Sequence, residues 1–161
     1  MAILEIKKYP DPILHKRAKE IKEVTPEIKK LSEDMIQTLL KNEIEGMGLA
    51  APQIGVSQRI MVVKTGEKPV AFINPEIIKK SREKEAMEEG CLSLPGLWLK
   101  IKRAKEVEIV ALDINGKKIK INAEGLVSRI IQHEIDHLDG VLIINRVNFF
   151  RKFKLFHKGG K

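Results

Sequence analysis

The sequence predicts an α+β domain in which mostly antiparallel sheets pack around a central helix carrying a His-Glu-Ile-Asp-His motif. Three observations lead to this prediction. Apolar residues recur at helical spacing in two segments, runs rich in β-branched residues lie between them, and an Asn-Gly pair joins the last two of these runs. At 161 residues the chain is long enough for one domain with its own core.

Two proline-containing caps open the first half of the chain. Asp11-Pro12 combines an N-cap residue with a proline at the first helical position, which predicts a short helix to about Ala18. Thr25-Pro26 repeats the signal, and the helical spacing of apolar residues behind it predicts an amphipathic helix that ends near Asn42. Glycines, a proline and small residues fill positions 46–55, which indicates a loop whose backbone something approaches closely.

The second half alternates strands with one more helix. Strands are predicted at 59–65, 70–78, 97–103, 107–114 and 117–123. Asn115-Gly116, between the last two, is the pair favoured in a type I′ hairpin. After Gly125 the pattern returns to a helical period, which Gly140 is placed to end. One stripe of this helix carries Leu126, Ile130, His133 and His137.

The motif on this helix indicates metal chemistry. His133 and His137 are four residues apart, so both imidazoles project from one helix face and can bind one metal ion. Glu134 can reach a water molecule on that ion. The alternative is that both histidines are ordinary buried residues with satisfied hydrogen bonds. A third ligand decides between the two interpretations.

The two common extensions of such a motif are absent. No Glu follows Glu134, and Ile143 stands where a third histidine would be needed. The remaining soft or imidazole donors are Cys91, His15 and His157. We expect His15, in a charged segment, and His157, in the tail, to be solvated. Glycine and proline bend the chain around Cys91, which favours it as the ligand, with an inert buried thiol as the alternative.

Composition indicates the partners and the cellular compartment to expect for this protein. A formal charge of +8 favours anionic partners such as ribosomal RNA. The single cysteine excludes an internal disulfide and fits a reducing compartment, so we expect a cytoplasmic protein. Neither a targeting segment nor a membrane-spanning run is apparent. We divide the chain into one catalytic domain at 1–148 and a basic, aromatic tail at 149–161, which either docks on a partner or packs on the domain as a helix.

Three segments together resemble one family. They are G-M-G-L-A-A-P-Q at 46–53, E-G-C-L-S at 89–93 and Q-H-E-I-D-H-L-D-G at 132–140. In order and separation they are similar to the three signature motifs of the peptide deformylases, and the likeness runs from about Tyr9 to Val147. It implies a hydrolase that removes the N-formyl group from the initiator methionine of newly synthesised polypeptides and releases formate.

The resemblance also implies roles for individual residues. Cys91, His133 and His137 would bind the metal ion, with Glu134 as general acid and base. Gln53 and the backbone N–H of Leu92 would stabilise the oxyanion. The implied metal is Fe²⁺, with Zn²⁺ or Ni²⁺ as substitutes, because the ligand set alone does not select one of them.

A pocket for the methionine side chain should be apolar and lie beside the metal. By the family pattern it draws on Met47, Met87, Leu126, Ile130 and the stem of Arg129. Gly48 and Gly90 lack side chains where an extended substrate backbone could pair with the protein. We also expect Arg103 to pair with Glu89 and thereby steady the cysteine loop.

Two other classes of function compete with deformylation. A general HExxH metallopeptidase would cleave unformylated peptides, but its usual third ligand is missing. A basic RNA-binding protein with a structural metal would show a steep salt dependence, but structural sites normally have four protein ligands. The partners we expect are N-formyl-Met nascent polypeptides and, transiently, the ribosome, with no membrane association and no stable DNA binding.

Overall fold

Seven strands and three α-helices make up the computed structural model, which describes residues 1–42 and 46–157. The strands are β1 (Gly48–Ala50), β2 (Ile60–Lys64), β3 (Pro69–Lys80), β4 (Lys84–Cys91), β5 (Leu94–Ala104), β6 (Glu106–Leu112) and β7 (Lys118–Glu124). The α-helices are α1 (Pro26–Lys41), α2 (Gly125–Leu138) and α3 (Phe149–His157). Short 3₁₀ helices lie at Pro12–His15, Ala51–Ile54 and Ile143–Asn145. The predicted α+β class is confirmed.

The strands form two separate antiparallel sheets. Five of them run in the order β1-β2-β3-β6-β7, and β4 pairs with β5 alone. Within the described residues, β1 and β4 therefore each have one edge without a neighbouring strand. Both edges lie close to the motifs singled out in the sequence, since Gly48 begins β1 and Cys91 ends β4.

The central strands of the larger sheet are buried on both faces. Met61 and Val63 of β2 belong to the apolar cluster that includes Ile131 of α2. Ile60 and Val62, on the opposite face, pack in a second cluster with Met35 of α1. A strand that is covered on both sides reads as a continuous apolar run, which is why positions 60–63 show no polar alternation. The sheet thus separates α1 from α2.

Helix α1 forms where the sequence predicts it. Thr25 is its N-cap, with a side chain that accepts a hydrogen bond from Ile28 N at 3.4 Å, and Pro26 occupies the first helical position. Its buried face includes Ile28, Met35 and Leu39. The prediction of a helix from Thr25-Pro26 to about Asn42 is confirmed, because Asn42 is the C-cap.

The first predicted helix is shorter than expected. It is a 3₁₀ turn at Pro12–His15, and Lys16 has extended backbone angles. The helix does not continue to Ala18 because the chain makes other hydrogen bonds there. Ala18 N donates to Leu138 O at 2.8 Å, and Lys19 bridges to Gln58.

Residues 7–18, which we call the N-terminal strap, contact all three sequence motifs. Lys7 N donates to Gln53 O at 2.7 Å, and Tyr9 N donates to Ser93 O at 2.9 Å. Ala18 N completes the set through its bond to Leu138 O. The strap therefore ties the loop at 46–55, the cysteine turn and the end of α2 to one another.

The hairpin between β6 and β7 has a wider turn than predicted. Leu112 and Lys118 are the last paired residues, so Asp113 starts the turn before the Asn115-Gly116 pair. The Asp113 carboxylate accepts hydrogen bonds from Asn115 N at 2.8 Å and from Lys117 N at 2.9 Å. Together with the backbone bond from Asp113 N to Lys117 O at 2.9 Å, these bonds close a turn of more than two residues.

The C-terminal segment is helical from Phe149 to His157. Leu155 packs against the apolar cluster formed around β5 and the last 3₁₀ helix, whereas Phe150 is 78% exposed. Residues 158–161 of the predicted tail lie outside the described residues, and the boundary at 148 stays a prediction. None of the helices in the described ranges has the length and apolar content required to cross a bilayer.

Gly140→Ala is expected to destabilise the fold by about 2–5 kcal/mol, which combines a left-handed backbone penalty with overpacking. Gly140 has φ +74°, and a Cβ there would lie 2.7 Å from the backbone carbonyl of His15. Gly96→Ala is the matched control, because φ is +77° but no atom lies within 4 Å. Thermal unfolding should show the larger loss in Gly140→Ala. Equal losses would mean that the contact with the strap contributes nothing.

Candidate active site

Three potential metal ligands converge between β4 and α2. Cys91 ends β4 immediately before the turn into β5, and His133 and His137 lie one turn apart on α2. Cys91 Sγ is 3.2 Å from His137 Nε2, and the ligand atoms of the three side chains all lie within 4.8 Å of one another. Two elements that are distant in sequence therefore present one thiol and two imidazoles to a common point.

The chemistry of this cluster fits a bound metal ion. Burial would raise the pKa of the Cys91 thiol, but the neighbouring His137 and His133 hold that pKa well below its usual value. A thiolate with two imidazoles is a ligand set that zinc and ferrous iron accept. Burial likewise opposes protonation of His133, but Cys91 and Glu89 raise its pKa to about 10. Metal binding must displace that proton, so it is expected to weaken as the pH falls.

Glu89 orients His133. His133 Nδ1 lies 2.9 Å from Glu89 Oε1, which leaves Nε2 for the cation. Arg103 donates to both Glu89 oxygens at 2.9 Å, and Arg129 Nη1 donates at 2.5 Å. Burial alone would raise the pKa of Glu89, but the bonds from His133 and Arg103 lower it to about 2. The expected pairing of Arg103 with Glu89 is present, and Glu89 itself contacts a candidate ligand.

Glu134 is buried beside the cluster, with 3% exposure. Among the residues that the structure describes, none forms a hydrogen bond with Glu134 Oε2. Burial raises the pKa of this carboxyl to about 7, against the attraction of His133 and His137. Gly48 leaves room for it, since a Cβ at Gly48 would lie 2.7 Å from Glu134 Cγ. A carboxyl whose Oε2 has no hydrogen-bond partner among the described residues, and whose pKa is near neutrality, can accept and return a proton.

A cavity of about 330 Å³ opens beside these residues. Of the residues predicted to form the site, its walls include Met47, Gly48, Gln53, Gly90, Cys91, Leu92, Leu126, Arg129, Ile130, His133 and Glu134. His137 does not line this cavity but belongs to the metal-ligand cluster. The structure does not bring Met87 to the cavity. Its side chain on β4 is 40% exposed and does not line the cavity, although its neighbour Glu88 does.

Gln53 is held so that its amide nitrogen faces the cysteine. Its Oε1 accepts a hydrogen bond from Ala50 N at 2.8 Å, which fixes the side-chain orientation. Its Nε2 then lies 3.7 Å from Cys91 Sγ and 3.3 Å from Ser93 Oγ. The N–H groups of Gln53 are thus directed toward the cavity wall that carries Cys91.

The family model for polypeptide deformylase matches residues 3–153 of this chain. The chain belongs to the polypeptide deformylase family. Relatives include a peptide deformylase of Desulforudis audaxviator, 43% identical over 155 residues, with 96% of this chain and 99% of that protein covered. One from Carboxydothermus hydrogenoformans is 49% identical over 153 residues, with coverage of 94% and 99%.

Solved deformylase structures have the same fold. The peptide deformylase of Thermotoga maritima matches with a TM-score of 0.87 at 42% identity, covering 92% of this chain and 99% of that one. The Ehrlichia chaffeensis enzyme in complex with actinonin matches with a TM-score of 0.92 at 37% identity, covering 99% and 96%. As a deformylase, the protein is a hydrolase that removes the N-formyl group from newly synthesised polypeptides. The competing metallopeptidase and RNA-binding interpretations are therefore set aside.

Several residues in the wall of the deformylase cavity were not predicted from the sequence to lie there, although Glu89 was predicted to pair with Arg103. Glu88, Glu89, Gly46 and Trp98 also line the cavity. The Trp98 ring covers Gly90, since a Cβ there would lie 3.0 Å from it. A carboxylate two residues before the cysteine was the available signal for Glu89, but only folding places it against His133. His15 is exposed, as expected for a residue outside the site.

Proposed function

We propose that this deformylase hydrolyses the formyl amide of N-formyl-Met polypeptides with Cys91, His133 and His137 as metal ligands and Glu134 as the proton carrier. The observation that carries the proposal is the unpartnered Glu134 oxygen, buried beside the three ligand atoms and open to the same cavity. Buried carboxylates normally have hydrogen-bond partners, so an exception at such a position indicates chemistry.

The bound metal would supply Lewis acidity, which makes water a better nucleophile near neutral pH. With its pKa near 7, Glu134 can take the proton of the attacking water as the carbon–oxygen bond forms. The same carboxyl then returns the proton to the departing amine, so that the leaving group is neutral. One group can perform both transfers because it lies against the reacting atoms throughout.

Charge that develops on the formyl oxygen needs donors fixed in advance. We assign this role to Gln53 Nε2 and to the backbone N–H of Leu92, the first residue of the turn after Cys91. The bond from Ala50 N holds the amide of Gln53 in place before the substrate binds. One preorganised donor of this kind typically contributes about 10²–10³ in rate.

The cavity fits the first residue of a formylated chain. Met47, Leu126 and Ile130 give it an apolar wall, and the stem of Arg129 can add to that wall while its guanidinium stays bound to Glu89. Gly48 begins β1 and Cys91 ends β4, two strands that each have one unpaired edge within the described residues, and Gly90 adds no side chain there. An extended substrate backbone could pair with such edges.

We propose Fe²⁺ as the native metal because the family resemblance implies it, and Zn²⁺ or Ni²⁺ as functional substitutes because a thiolate with two imidazoles accepts all three. We also propose a cytoplasmic location and a transient contact with the ribosome. The formal charge of +8 and the exposed Phe150 and Arg151 on α3 support docking of this protein on an anionic partner such as ribosomal RNA.

The test is formate release from a formyl-Met peptide under anaerobic conditions, compared with cleavage of the same peptide without the formyl group. We expect formate and a free methionine amine from the first peptide and no hydrolysis of the second. Protein loaded with Fe²⁺, Zn²⁺ or Ni²⁺ should be assayed in parallel, with the Fe²⁺ form expected to be the most active. Internal peptide cleavage without formate would refute the assignment.

A further inference from the structure

Four charged side chains form a continuous row of ion pairs from the surface to His133. Arg146 Nε donates to Asp136 Oδ2 at 3.0 Å, and Arg103 Nη1 donates to the same oxygen at 2.6 Å. Arg103 also holds Glu89, which accepts from His133. We call Arg146, Asp136, Arg103 and Glu89 the charge row.

Asp136 does not line the substrate cavity, to which the charge row contributes only Glu89. It lines a different cavity of about 480 Å³, together with Arg103 and Arg146. Its side chain is only 11% exposed, and both of its oxygens are occupied by arginines. Burying a carboxylate costs free energy, which its ion pairs must offset. Because both oxygens of Asp136 are bound to arginines, we look for its role in its effect on Arg103.

Asp136 accepts a hydrogen bond from Nη1 of Arg103, and Glu89 accepts from the other two nitrogens of that guanidinium. The guanidinium is planar, so fixing Nη1 on Asp136 also fixes the directions of Nε and Nη2. Those two groups make the paired hydrogen bonds to Glu89 at 2.9 Å. Glu89 in turn sets the ring orientation and tautomer of His133 through Nδ1. Asp136 therefore reaches the metal centre through two intermediate side chains.

We propose that Asp136 is a positioning residue for the metal centre, which acts by fixing Arg103 so that Glu89 holds His133 in its ligating orientation. The inference rests on the proposed role of His133 as a metal ligand. Loss of a contact that supports a ligand typically lowers metal affinity by about 10 to 100-fold. Asp136→Asn should therefore release metal faster than the unaltered protein.

The chain offers a matched control three residues after Asp136, at the same C-terminal end of α2. Asp139 pairs with the buried Arg59 at 2.8 Å and is the C-cap of α2. Like the pair of Arg103 and Asp136, this pair joins a buried arginine to an aspartate beside the cavity of about 480 Å³. The hydrogen bonds of the Arg59 guanidinium go to Leu138 O and Asp139, and not to Glu89. Asp139→Asn removes the same charge without touching the charge row.

The experiment follows Co²⁺ bound to the full-length protein, at a temperature where unfolding curves show every variant to be folded. Thiolate-to-cobalt absorption reports the ligand geometry, and transfer of cobalt to a chelator reports the dissociation rate. We expect Asp136→Asn to raise that rate about 10 to 100-fold and to shift the visible bands, and Asp139→Asn to do neither. Arg146→Gln, at a side chain 44% exposed, should have a smaller effect in the same direction.

The outcomes separate this inference from the proposed function. If the unaltered protein shows no thiolate-to-cobalt band, the assigned ligand set is wrong and the inference falls with it. If that band is present but Asp136→Asn matches Asp139→Asn, only the positioning role is refuted. Should Asp136→Asn fail to fold, Arg146→Gln decides, and release indistinguishable from that of Asp139→Asn overturns the proposal.

Discussion

We expect Glu134→Gln to lower the rate of formate release by about 10²–10⁴-fold, because the amide cannot accept the proton of the attacking water. The substitution keeps the size of the side chain, so it should fit the space that Gly48 leaves beside it. Metal content should not change, since Glu134 is not among the three clustered ligands. The measurement is kcat for a formyl-Met peptide, together with metal analysis of the same sample.

Glu88→Gln is the matched control for this substitution. Glu88 also lines the cavity, but its side chain is exposed and it lies on β4 rather than on α2. We expect its removal to change kcat far less, because a solvated carboxylate has no special access to the reacting water. Full activity in Glu134→Gln would show that another group carries the proton.

Cys91→Ser should remove the bound metal and with it the activity. A serine hydroxyl stays protonated where the thiol of Cys91 ionises, so the site loses its anionic ligand. The loss should exceed the 10 to 100-fold that typically follows removal of a supporting contact. Metal retained after dialysis and cobalt absorption measure the effect.

The sequence provides an internal check on the Cys91 prediction. Cys91 is the only cysteine, so a thiol reagent modifies no other cysteine of this chain. Bound metal should protect it from modification, and removal of the metal with a chelator should expose it. A thiol that reacts equally fast in both states would contradict its role as a ligand.

Periodicity made most of the framework predictable. Helices α1 and α2 and the central strands follow from apolar spacing, because burial of one helix face or of both faces of a strand leaves a direct mark on the sequence. Strand β4 was not predicted, since Lys84–Cys91 is mostly charged and exposed and is held by pairing with β5 rather than by its own burial. The first helix was predicted too long because tertiary hydrogen bonds end it.

The site also contains residues that local spacing predicts and residues that only the fold brings together. The two histidines and Glu134 share a helix, so their spacing alone brings them together. Cys91 came from elimination among donors and from the family resemblance. Asp136 and Arg146 carry no local signal of their partners, since Arg103, the residue that joins them to Glu89, lies on β5, 33 positions before Asp136. Pairings of this kind are fixed by the fold alone.

The N-terminal strap has a consequence for how activity develops during folding. Lys8 Nζ donates to Leu92 O across 84 positions of sequence, and Ala18 is joined to Leu138 over a still longer interval. Contacts of such separation require closure of long loops, which makes them slow to form. We therefore expect the hydrolytic centre to reach its final geometry only after the first and last parts of the chain have met. Formate release is accordingly a measure of the fully folded fraction, and no fragment lacking the strap should retain it.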